Sequence, residues 1–322
     1  MFEHRAAGVE AHATLPTMDA REPDFEFLNE SPPFSKGEID RLGQFYAGRR
    51  ADPPDKAAEV LEWHNRLASS SEAAIATFIA SKLEWPPQVN GMRTASRVKS
   101  ADTIASKVRD RNIQLSRVQD FVGTRFTWNC LHSELRTVGE SLAHHLQSLG
   151  FHVELKDYLD APQQGYRGVH LWLRTPAGRI EIQLRTLLQS VWANAYERAG
   201  DIAGRRIRYE AGYRPDDPWL SELVDQLIQL SADIYAQEKA EEKALGETEE
   251  LLLRISRQPK VLPIAPETHR ARAQMFSHLS RSEEANATRA ASYLELLRSL
   301  DTLAASLETY GRASIEKDDR DA

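Results

Sequence analysis

GVHLWLRT (residues 168–175) and RIEIQLRT (residues 179–186) are the two stretches from which the fold can be read. Both alternate. In the second, Ile180, Ile182 and Leu184 fall on one side, and Glu181, Gln183 and Arg185 on the other. In the first, Val169, Leu171 and Leu173 oppose His170, Trp172 and Arg174. A period of two is the pattern of a strand with one face in a core. The opposite faces carry an acid, an amide, an imidazole and guanidinium groups, and either meet solvent or line a site.

Further strand-like runs lie at 120–128 and 151–157, and helical patterns at 101–112, 133–149 and 186–199. Strands interleaved with helices imply a sheet domain of the α/β or α+β class over about 91–200. Before it, helices are expected at 37–49 and 55–83, the second stopped by Trp85-Pro86-Pro87. Residues 1–36, interrupted by four prolines, read as a flexible arm, so the main domain is expected over 37–214 with its core at 91–200. From Pro215 no strand signal returns. Leu220, Leu223, Leu227, Leu230 and Ile234 recur at helical spacing, an acidic run follows at 238–250, and a last helical pattern lies at 284–309. Residues 215–322 therefore read as an acidic helical extension.

The chain has 322 residues and a net charge of −7. That charge is uneven: residues 216–322 hold 21 acids and 13 bases, whereas 91–125 hold eight bases and three acids. A basic block inside an acidic chain points to a local anionic ligand, not to wholesale nucleic-acid coating. No apolar run is long enough to span a membrane, and the first residues lack the apolar stretch of a secretory signal. The single cysteine, Cys130, excludes a disulfide framework and a cysteine-based zinc site. A cytoplasmic protein without membrane partners is expected.

Within SRVKSADTIASKVRDR (96–111), Ser100 or Asp102 can cap a helix whose N-terminus faces the same space as Arg97 and Lys99, with Lys107 farther along. Fixed cations around a helix N-terminus suit a polyphosphate, and a solvated basic face accounts for the same pattern. In DFVGTRF (120–126), Asp120 opens a strand that also carries Arg125. Asp120 and Glu181 together would suit Mg²⁺, which takes one or two carboxylates plus phosphates and water. Tyr166, in the turn Gln164-Gly165-Tyr166-Arg167, is placed to stack on a nucleobase, or is simply packed.

These strings in this order (R-x-K, a helix with Lys107, D-x-x-G-x-R, G-Y-R-x-x-H and E-I-Q-L-R-T) resemble the synthetase domain of the RelA/SpoT family of alarmone enzymes. The resemblance spans about 91–200 and implies an α+β fold, a mixed β-sheet flanked by helices of the nucleotidyltransferase-like type. It implies transfer of the β,γ-pyrophosphate of ATP to the 3′-hydroxyl of GDP or GTP, with Mg²⁺. Arg97, Lys99, Lys107 and Arg125 then correspond to the ATP clamp, and Asp120 and Glu181 to the catalytic and metal-binding acids. Tyr166 corresponds to the acceptor-base stack, with His170, Gln183 and Arg185 as polar support.

The chain also departs from the family pattern. It has no His-Asp dipeptide, so a synthetase without hydrolase activity is expected. Where many guanosine-nucleotide synthetases read P-K-x-N-G-Y, this chain reads Pro162-Gln163-Gln164-Gly165-Tyr166 without the lysine and asparagine. Residues 200–214 carry Arg205, Arg206, Arg208 and Arg214. Such a cluster opens a second reading, a toxin that pyrophosphorylates the 3′ end of transfer RNA and is restrained by an antitoxin, with Arg205, Arg206 and Arg208 on the RNA. Adenosine-nucleotide acceptors and a catalytically inactive nucleotide sensor are further alternatives.

Overall fold

The computed structural model describes residues 23–83 and 91–256, divided into two compact units. The first unit comprises the chain up to Cys130, Glu134–Asp160 and Gly168–Leu187; the second comprises Leu131–Ser133, Ala161–Arg167 and the chain from Leu188 on. The expected helix at 284–309, the proline stop at 85–87 and the first 22 residues of the expected arm lie outside the described residues.

Five strands form one sheet in the first unit: β1 (Arg93–Val98), β2 (Val122–Trp128), β3 (His152–Asp157), β4 (Val169–Arg174) and β5 (Arg179–Thr186). Their order is β1-β2-β5-β4-β3, with β2 and β5 parallel and every other pair antiparallel. The fold is thus the mixed, helix-flanked sheet that the sequence pattern and the resemblance imply. In chain order the described helices are α1 (Lys36–Tyr46), α2 (Ala57–Lys82), α3 (Ala101–Asp110), α4 (His132–Ser148), α5 (Leu187–Ile202) and α6 (Pro218–Ser256).

The register makes the sheet two-faced. Val122, Phe126, Ile180, Ile182, Leu184, Leu171 and Leu173 share one face and form a core with Leu67, Ile75, Phe78 and Ile79 of α2 and Leu135, Leu142 and Leu146 of α4. Close approach of α4 requires Gly139, where a Cβ would stand 3.0 Å from a Val169 methyl. Each fully buried aliphatic side chain here contributes about 1.5–3 kcal/mol.

Two expectations are corrected. The expected arm over 1–36 contains a packed stretch. A 3₁₀ turn at Glu26–Asn29 buries Phe27 and Leu28, with Phe25, in the sheet's core, and Ala177 N–H donates to Leu28 O at 3.3 Å. Strand β1 was not expected at all. The sequence RTASRV is mostly small or polar and half exposed on alternate residues, so it lacks the apolar signal of a buried strand.

In the second unit, Leu188, Trp192, Ala195 and Tyr196 of α5 pack with Leu220, Leu223, Val224, Leu227 and Ile234 of α6. The leucine repeat of the acidic extension is therefore core material. Two of its acids are engaged as well. Glu238 Oε2 lies 2.8 Å from His132 Nε2 and accepts from Gln189 Nε2 at 2.8 Å, while Glu242 accepts from the Ser133 N–H at 2.7 Å. Among the described residues, no helix is long and apolar enough to cross a membrane.

Candidate active site

The sheet's other face gathers most of the candidates. Arg97, Gly123, Glu181, Trp172 and Glu154 stand in one row across all five strands. The next row holds Ala95, Arg125, Gln183, His170 and Lys156. Arg185 lies beyond, opposite Thr127. Solvent exposure does not explain this face, since Arg185 is 2% and His170 8% exposed. Charged and polar groups buried to that degree need partners, and several of them lean on one another. Arg185 Nη2 donates to Gln183 Oε1 at 2.7 Å, and Gln183 Nε2 donates to Glu181 Oε2 at 2.7 Å. His170 Nδ1 lies 3.3 Å from Glu181 Oε1, with the Tyr158 ring edge-on behind it.

Burial pushes the Glu181 carboxyl up. The contact and charge of His170, the Gln183 amide and the charge of Lys99 together outweigh it and hold the pKa at about 2. Glu181 is therefore an anchored carboxylate throughout the physiological range.

Lys99 also connects Glu181 to the second acid. Its Nζ lies 3.2 Å from Asp120 Oδ2, which is ion-paired to Lys107 as well. The backbone positions this trio: β1 ends at Val98, and the Lys99 N–H donates to Phe121 O at 3.0 Å, bringing Lys99 beside the residue that precedes β2. Lys107 approaches from the second turn of α3. Burial lowers its ammonium pKa, against the opposing pull of Asp120. Ser100 is the N-cap of α3 by backbone conformation, yet its hydroxyl meets Thr103 Oγ1 at 2.9 Å and makes no capping bond. Gly123, between Arg97 and Glu181, leaves open space where a side chain would stand.

Tyr166 and the arginine cluster belong to the second unit. The turn before Tyr166 is pinned: Gly165 has φ +83°, and a Cβ there would come within 2.9 Å of the Trp192 ring. Gly165 O accepts from the Ser231 hydroxyl. Gln164, where the family often has asparagine, also has positive φ and donates its side-chain amide to Glu210 O. Tyr166 itself is half-buried against the Trp192 cluster. Arg206 pairs with Glu210 at 2.7 Å, Arg208 with Asp201 at 3.0 Å and Arg214 with Asp225 at 2.6 Å, whereas Arg205 is exposed.

The donor set fits magnesium. Two hard carboxylates, Asp120 and Glu181, are present, and among the described residues no cluster of three or more histidine, cysteine or acidic side chains forms a cage. Magnesium dispenses with such a cage when substrate phosphates complete its shell.

Residues 96–200 match the family model described as the region found in RelA / SpoT proteins. An uncharacterized protein of Mycobacterium tuberculosis is 38% identical over 222 residues, 66% of this chain and 77% of its own length. The chain belongs to the RelA/SpoT family. Among solved structures, this RelA/SpoT protein is similar to small alarmone synthetase 1 from Bacillus subtilis. The two are 21% identical, and the match covers 61% of this chain and 99% of that one with a TM-score of 0.47. It is also similar to a GTP pyrophosphokinase family protein from Streptococcus pneumoniae, 19% identical over 61% of this chain and 98% of that one, TM-score 0.44.

Proposed function

We propose that this RelA/SpoT protein transfers the β,γ-pyrophosphate of ATP to the 3′-hydroxyl of GDP or GTP. The observation that carries the reading is the pairing of Asp120 with Lys99 and Lys107 beside a sheet face that carries Glu181, Arg97, Arg125 and Arg185. In the proposed step the acceptor 3′-oxygen attacks the β-phosphorus, the bond to the α-phosphate oxygen breaks, AMP leaves, and the 3′-hydroxyl proton is released. Such a transfer needs positioning and charge stabilisation more than covalent catalysis.

The side chains divide that work. Lys99, Lys107, Arg97 and Arg125 bind the donor's phosphates and base, each charged contact being about twice as strong as a neutral one. Asp120 and Glu181 would hold Mg²⁺, which neutralises phosphate charge when bound. A carboxylate with a pKa of about 2 is a weak proton acceptor, so Glu181 is better suited to holding a cation and orienting the hydroxyl than to taking its proton before substrate charge arrives. Arg185, Gln183 and His170 fix the orientation of Glu181, and Tyr166 stacks on the acceptor base.

Pairing of Arg206, Arg208 and Arg214 with neighbouring acids weighs against a cationic track for transfer RNA. The reading is tested by incubating the protein with Mg²⁺ and γ-labelled ATP, with GDP, GTP, ADP and transfer RNA in separate reactions. Label on the guanosine nucleotides is expected. Label on transfer RNA alone would replace this reading with that of a translation-blocking toxin.

A further inference from the structure

Behind the β4–β5 turn of the first unit lies a cavity of about 300 Å³, the size of a small-ligand pocket. None of the candidate transfer residues lines it. In its walls Ile39, Leu115 and Phe121 are apolar, Lys36, Arg174 and Arg179 are cationic, and His64, Ser116 and Thr175 are polar.

No acid lines this cavity, and among the described residues none of the three cations is in an ion pair. The two guanidiniums share one neutral acceptor. Gln119 Oε1 lies 3.5 Å from Arg174 Nε and 3.4 Å from Arg179 Nη1. Its amide nitrogen is used in holding it there, donating to Leu173 O at 3.1 Å and Ile180 O at 3.0 Å. The nearby acids are committed elsewhere: Glu38 to Arg41, Asp40 to the Ser116 N–H, Asp120 to Lys99 and Lys107, and Glu154, which lies within reach of the Arg174 charge, to Lys156. The Arg179 guanidinium is correspondingly lowered in pKa, first by burial and then by the charges of Arg174 and Arg117. The first turn of α1 adds to the positive character, since it supplies Lys36 to the wall and Ser35 makes no side-chain capping bond. Like charges gathered beside apolar walls with no counter-ion are unfavourable unless an anion joins them.

We propose that this cavity binds a phosphorylated small molecule of the nucleotide class, apart from the transfer site. Its phosphates meet Lys36, Arg174, Arg179 and the α1 N-terminus, and its flat base lies against Ile39, Leu115 and Phe121. A purely inorganic anion would leave the apolar wall unused, and an apolar ligand would leave the cations unpaired. This inference does not depend on the proposed transfer activity.

The test is titration calorimetry on the full chain carrying Lys99→Ala and Tyr166→Ala, which disable the donor and acceptor sides of the proposed transfer site, in chelator and without turnover. GTP and inorganic tripolyphosphate are the probes. GTP is expected to bind at one site per chain, and tripolyphosphate more weakly at the same site. Adding Arg174→Glu, at an exposed position, should weaken both at least about tenfold with an unchanged melting temperature. Arg179→Gln is the second variant and should act in the same direction. GTP binding unaltered by either change overturns the proposal. Tripolyphosphate binding as tightly as GTP overturns the assignment to nucleotides.

Discussion

Replacing Glu242 by glutamine should cost stability in a way that depends on pH. The side chain is 17% exposed, accepts from the Ser133 N–H at 2.7 Å and pairs with Lys239. Burial raises its pKa, but Lys239 and Ser133 prevail and hold it at about 2, against an ordinary 4.5. At about 1.4 kcal/mol per pH unit, that difference is worth about 3 kcal/mol, reduced to about 2 kcal/mol by solvent screening at a partly exposed site. Because the folded-state pKa is depressed, the contribution is complete above the unfolded value near 4.5 and is lost as pH falls through about 2. Glutamine keeps an acceptor oxygen for Ser133, so the substitution removes chiefly the charge. Urea unfolding of both proteins at pH 7, 5 and 3 should give a constant deficit for Glu242→Gln at the two higher values and a smaller one at pH 3. A deficit of equal size at all three, or a variant more stable than the parent, would refute the reasoning.

The remaining expectations concern the site. Asp120→Ala and Glu181→Gln should each lower pyrophosphate transfer by about 10²–10³-fold or more without unfolding the protein, checked by steady-state rates alongside circular dichroism. Gly165→Val meets both a positive φ and the Trp192 ring and should destabilise the second unit by about 2–5 kcal/mol, read from chemical denaturation.

Much of the site was legible because its strands alternate without interruption. In β4 and β5 the aliphatic residues all point to the core, so the residues between them had to share the opposite face, and the register aligns them across strands. Asp120, Lys99 and Lys107 were legible as types but not as a trio, since a loop contact between Lys99 and Phe121 brings them together. Strand β1 was missed because an edge strand exposed on alternate residues carries no apolar code. The packing of Phe25–Leu28 was hidden by the polar, proline-broken residues around it. The acidic run from 238 reads only as part of a helical extension, yet Glu238 and Glu242 face His132, Gln189 and Ser133 across long sequence separations that periodicity does not encode. The cations Lys36, Arg174 and Arg179 come from distant parts of the chain and form a group only in three dimensions.

The central claim is that the two terminal phosphates of ATP move as one unit. Phosphorus NMR of a reaction with ATP, GDP and Mg²⁺ tests it most directly. The account predicts one AMP formed for each guanosine nucleotide that gains a 3′-diphosphate, with both signals growing at least about a hundredfold more slowly for Glu181→Gln. Formation of ADP with a single phosphate transferred, or ATP left intact by a folded protein with every acceptor, would contradict it.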